Sequence, residues 1–153
     1  MISKKDVVEA QQEWGKYIIR IGELKENRKA CEKMTEELVN KLYGYDLGTV
    51  LFKPTLAAEK QFRGTFEGGK SYMIGGDDNF PEDGGFALKP WTEVRFENTG
   101  IILGEEEALA MGNYFFTEEN GEETKVEYSF GYKKDGDGNL KIILHHSSLP
   151  YNP

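Results

Sequence analysis

The chain has 153 residues, 38% hydrophobic and 12% aromatic, which suits one domain spanning 1–153 with a real core. Its net charge of −8 argues against a phosphate backbone as partner, so no nucleic acid is expected. No apolar run approaches the roughly 20 residues of a membrane span, and the start, "MISKKDVVEAQQEW", has neither signal-peptide nor transit-peptide character, so the expected setting is soluble and cytoplasmic, with an organelle-targeted precursor left open.

In chain order, Ser3 followed by Asp6 reads as a helix N-cap, and Val7, Trp14, Ile18 and Ile21 recur at helical spacing, so a first helix is predicted over 4–24. Cys31, the sole cysteine, excludes an internal disulfide and a thiolate metal cluster; it reads as a small apolar helix residue. Ala30, Met34, Leu38 and Leu42 form a second stripe, closed by Gly44, which predicts a helix over 27–43. "TVLFKPT" is strand-like until Pro54. A short helix over 65–75 is weakened by Gly68 and Gly69. Residues 75–90, "GGDDNFPEDGGFALKP", read as a long surface loop; Asp77, Asp78, Glu82 and Asp83 argue against a phosphate cradle there.

Four strands follow: "WTEVRFENTGIIL", "EALAMGNYFFTE", "KVEYSFGYKK" and "LKIILHHSS", joined by turn-like segments. One turn, "DGDGN" at 135–139, has the acidic start of a calcium loop. Leu140 and His146 stand where that loop needs glycine and glutamate, so it reads as a hairpin turn. Helices first and a meander afterwards make an α+β domain. The first helix has the length and stripe to cover one face of the sheet. A curved sheet around it would leave a cone-shaped cavity lined by inward strand residues.

The only two histidines are adjacent, in "LKIILHHSSLPYNP". Neighbouring strand residues point to opposite faces, so one metal ion can take His145 or His146 but not both. A three-histidine zinc site is impossible with two in the chain. The same alternation puts His145 and Ser147 on one face, a neutral base candidate beside a hydroxyl. Spacing alone does not make them a site, and Thr55 and Tyr72 carry no signature of their own.

Taken together, "VLFKPTLAAEKQFR", "SYMIGG", "FPEDGGFALKPWTEVRFEN", "MGNYFFT", "KVEYSFGY" and "HHSSLPY" resemble the iota-class carbonic anhydrases, relatives of the calmodulin-dependent kinase II association domain within the nuclear transport factor 2-like superfamily. The blocks occur in order over nearly the whole chain. The resemblance implies a cone-shaped α+β fold, N-terminal helices packed on a curved antiparallel sheet, and a homodimer through the sheet. It implies reversible hydration of carbon dioxide to bicarbonate. Some members are described as metal-dependent, with three histidines before two serines; here Leu144 precedes the pair, which fits the metal-free type with no cofactor. Matching blocks then place substrate-binding hydroxyls at Thr55, Tyr72 and Ser147, and a catalytic His145 beside them. His145 would serve as general base or relay, or a relay of hydroxyls alone would pass the proton; both fit the sequence. Phenylalanines and Met111 would supply the apolar wall, and Arg95 a structural ion pair. Two other functions fit the same fold: a non-catalytic association module, and an isomerase or cyclase of small molecules built around a carboxylate base.

Overall fold

The computed structural model describes residues 1–153. Helix α1 spans Lys4–Glu23 and α2 spans Arg28–Leu42. Each starts where a side chain can take an orphan amide. Ser3 and Asp6 cap α1 reciprocally, and Asn27 accepts from the Ala30 amide at the head of α2. A three-residue strand β1, Leu51–Lys53, leads into α3, Phe66–Ile74, capped by Thr65. The two glycines predicted to weaken α3 do not prevent it, because its faces are covered: Gly68, Gly69, Ser71, Tyr72, Met73 and Ile74 are all buried. Gly75 ends the helix at φ 64°, a left-handed conformation that glycine adopts without strain.

Strands β2 (Glu93–Leu103), β3 (Glu107–Thr117), β4 (Glu123–Lys134) and β5 (Leu140–Ser148) form the expected antiparallel meander. The fifth strand is β1. It lies parallel beside β5, with Phe52 opposite His145, giving the open order β1-β5-β4-β3-β2. Register shifts at Asn98/Gly100 and Gly131/Tyr132 bend the sheet.

Helix α1 fills the concave face. Trp14, buried at its middle, stands 5.6 Å from the Tyr114 ring and 5.7 Å from the His145 ring. One contiguous cluster of 27 buried hydrophobic residues joins the helices to the sheet. Gly22 lets the end of α1 meet the 3-10 turn Phe86–Leu88, since a Cβ there would lie 2.8 Å from the Ala87 carbonyl oxygen.

Candidate active site

The site lies where β1 and β5 run side by side. Alternation on β5 does what strand geometry requires: His145 and Ser147 are buried on the concave face, and His146 is exposed on the other. Pro54 ends β1, and the chain turns so that Thr55 Oγ1 comes 2.6 Å from Ser147 Oγ. Helix α3 delivers Tyr72, whose hydroxyl accepts the Leu56 amide at 3.2 Å. Thr55, Tyr72, His145 and Ser147 thus all line one inner cavity, walled by Phe52 and Phe86. Its free volume is about 10 Å³, close to what one water molecule needs.

Two tyrosines that the sequence reading passed over complete the polar chain. Tyr114 on β3 reaches His145 Nε2 at 3.1 Å and Ser147 Oγ at 2.5 Å. Tyr43, just after α2, reaches His145 Nδ1 at 2.9 Å and accepts the Trp14 indole N–H at 3.1 Å. Both occupy positions where an aromatic reads as ordinary core. The only signal for Tyr114 was its even-numbered place on β3, the inward face shared with Ala108, Ala110 and Phe116. Met111 sits at an odd place on the same strand. It is 57% exposed and supplies no wall, contrary to expectation, because alternation turns it to the convex face.

The imidazole of His145 is sandwiched between Phe130, ring centroids 4.1 Å away, and Phe52, 4.8 Å away. Burial there, with a smaller push from His146, lowers its pKa to about 3. The ring is therefore neutral at physiological pH, and it is far too weakly basic to take and keep a proton from water. Its structural part is to accept at one nitrogen and donate at the other. Burial pushes the Tyr72 phenol up to about 12, despite the pull of the Leu56 amide and the Thr55 hydroxyl. Burial also raises Tyr114 and Tyr43 above the usual phenol range. All three stay protonated and can donate.

Outside Thr55, Tyr72 and Phe86, an outer pocket of about 340 Å³ opens towards solvent, walled by Leu56, Trp91, Phe116, Val126 and Leu149. Part of its rim is the 75–90 loop, which is held in place. Arg63, 1% exposed, pairs with both Asp83 oxygens at 2.7 Å and lies over Phe80. Ser71 donates to Asp83 at 2.6 Å. Glu82 accepts the backbone amides of Ala58, Glu59 and Lys60, which lower its pKa to about 2. Sequence reading missed this Arg63–Asp83 lock because an acidic, glycine-rich stretch reads as solvated loop.

No carboxylate lines the inner cavity. Nor does any group of three or more His, Cys, Asp or Glu side chains stand where it could grip a metal ion. Arg95 is the surface residue expected, paired with Glu97 and Glu123 over the Phe115 ring.

The chain is 39% identical over 153 residues to a metal-independent carbonic anhydrase from Nostoc sp., covering 98% of this chain and 75% of that protein. It superimposes with a TM-score of 0.96 on the crystal structure of an iota-carbonic anhydrase from a cyanobacterium complexed with bicarbonate, at 38% identity and covering 99% and 94% of the two chains. A Xanthomonas campestris protein described as a calmodulin-dependent kinase II association domain shares the fold at a TM-score of 0.66 and 24% identity, covering 99% of this chain and 91% of that one. The sequence model of the family described as "Metal-independent carbonic anhydrase" matches residues 5–149. This chain therefore belongs to the metal-independent carbonic anhydrase family.

Proposed function

We propose that this chain catalyses the reversible hydration of carbon dioxide to bicarbonate, without a metal, in the cavity between Thr55, Tyr72, His145 and Ser147. The observation that carries the reading is the convergence of four hydroxyl side chains, those of Thr55, Tyr72, Tyr114 and Ser147, with neutral His145, on a buried cavity whose remaining walls are apolar. The apolar walls suit a linear, non-polar gas. The hydroxyls suit the oxygens that become anionic as it is hydrated.

In the hydration direction the water oxygen attacks carbon. A C=O π pair moves onto oxygen, and the Tyr72 hydroxyl, with the free hydrogen of the Thr55–Ser147 pair, donates to the charge that forms. A water O–H bond breaks, and the proton leaves outward to solvent through the outer pocket. With a pKa near 3, His145 is a neutral link that holds Tyr114 and hence Ser147 in place. Of the two proton routes that fit the sequence, this environment favours the one that needs no imidazolium. The isomerase reading lacks its carboxylate base, since none reaches the cavity.

The same reading extends to assembly and setting. Ile102, Leu109 and Met111 stand exposed together on the convex face of β2 and β3 and support a homodimer through the sheet, which light scattering tests. One domain over 1–153, with a lone buried thiol at Cys31, suits the cytoplasm.

The activity test is stopped-flow hydration of dissolved carbon dioxide, followed by a pH indicator, on protein stripped with a chelator and checked by elemental analysis. A rate above buffer that persists after stripping is expected. Activity that vanishes and returns only with added zinc or manganese overturns the metal-free scheme.

A further inference from the structure

The hydrogens of the buried polar chain can be counted. Tyr43, neutral His145, Tyr114, Ser147 and Thr55 carry one polar hydrogen each, and four contacts join them in that order. One hydrogen is left over, and it belongs to whichever group donates to neither of its neighbours. At the Tyr43 end stands Trp14 Nε1, an indole nitrogen that only donates. Only Trp14 and His145 make hydrogen bonds to the Tyr43 oxygen. A Tyr43 hydrogen turned from His145 would therefore be a buried donor with no acceptor. Towards the other end, Tyr114, Ser147 and Thr55 all border the cavity.

We infer that Tyr43, held by Trp14, is a positioning residue that keeps the proton of His145 on Nε2 and so leaves the spare hydrogen of the chain facing the cavity. Tyr43 donates to Nδ1, and Nε2–H donates to Tyr114. Beyond it, Tyr114, Ser147 and Thr55 hold three hydrogens for the two contacts among them, so one of these three hydroxyls donates to whatever oxygen is bound. The cavity thus offers this face of the substrate a donor rather than an acceptor, which selects an anionic oxygen of bicarbonate or hydroxide. Moving a proton inward to His145 would require both of its contacts, with Tyr114 and with Tyr43, to reverse and would strand the Tyr43 hydrogen. The chain binds and orients; it does not drain protons inward. This inference rests on the proposed carbonic anhydrase activity for its effect on substrate, but the proton placement itself is independent of turnover.

The test is nitrogen-15 NMR of the histidine rings in the full-length protein, with His146→Gln used to assign the His145 signals. The expected wild-type result is a neutral His145 with its proton on Nε2. In Tyr43→Phe a fraction carrying the proton on Nδ1 should appear, and KM for bicarbonate in the dehydration direction should rise by at least about fivefold with a smaller change in kcat. Trp14→Phe, which removes the indole donor but keeps a ring, should shift both readouts the same way and by less. A wild-type ring protonated on Nδ1 overturns the inference, as does a Tyr43→Phe protein in which neither tautomer nor KM moves. Should Tyr43→Phe fail to fold, the wild-type tautomer alone decides. Nε2–H in a protein with no hydration activity would sink the proposed function and leave the proton placement standing.

Discussion

Mild acid should destabilise this protein through His145 before most of its carboxylates begin to titrate. Enclosure between Phe52 and Phe130 depresses the folded-state pKa of the ring to about 3. In the unfolded chain the imidazole returns to about 6.5. Between these values the unfolded state binds a proton that the native state refuses. The stabilisation is therefore complete above the unfolded pKa and is lost as pH falls towards the folded one. Integrating that difference from about pH 7.5 to about pH 5 gives a loss of roughly 2 kcal/mol. Urea titrations at the two pH values, read by far-ultraviolet circular dichroism with m-values compared, measure it directly. His145→Gln should be less stable at both values because it disturbs two hydrogen bonds, yet it should lose this slope. His146→Gln, changed on the exposed face, should keep it. The reasoning fails if wild type changes by less than about 0.5 kcal/mol over the window, or if the slope survives in His145→Gln.

Other outcomes follow from the same contacts. Ser147→Ala cuts the link from Tyr114 to Thr55; stopped-flow hydration should fall at least about tenfold, for a stability loss of only about 1–2 kcal/mol. Tyr72→Phe removes one donor from the cavity and should slow hydration while the fold, checked by thermal melting, holds; full rate would remove Tyr72 from the site. Asp83→Asn removes the nearer of the two carboxylates paired with the buried Arg63 guanidinium, leaving Glu82 at 3.7 Å, and should cost about 3 kcal/mol in denaturant titration. Gly22→Ala places a methyl against the Ala87 carbonyl and should lower the melting temperature by several degrees, about 1–3 kcal/mol of overpacking.

The sequence made some of this legible and hid the rest for identifiable reasons. Helices α1 and α2 were readable because their apolar spacing and their caps agree, and the meander because its turns are marked by glycine and acid. The parallel partnership of β1 with β5 was not. Three residues of strand carry no record of which distant edge they join, and that edge is what carries Phe52 to His145 and Thr55 to Ser147. His145 and Ser147 could be placed on one face by alternation alone. Thr55 and Tyr72 could be matched only through the resemblance of whole blocks. Tyr43, Tyr114 and Trp14 stayed invisible because each buries a ring as any core aromatic does, and the use of its polar atom depends on partners 29 to 102 residues away. The same alternation on β3 turns Met111 outward.

The chain's two tryptophans mark opposite ends of the route a gas molecule would take. Trp91 faces the antechamber, and Trp14 anchors the innermost end of the buried hydrogen-bonded chain. Each indole is thus a native fluorophore for a different compartment. Replacing either one by phenylalanine leaves the other to report alone, so arrival at the mouth and occupancy at the heart of the cone become separable optical events without any added dye.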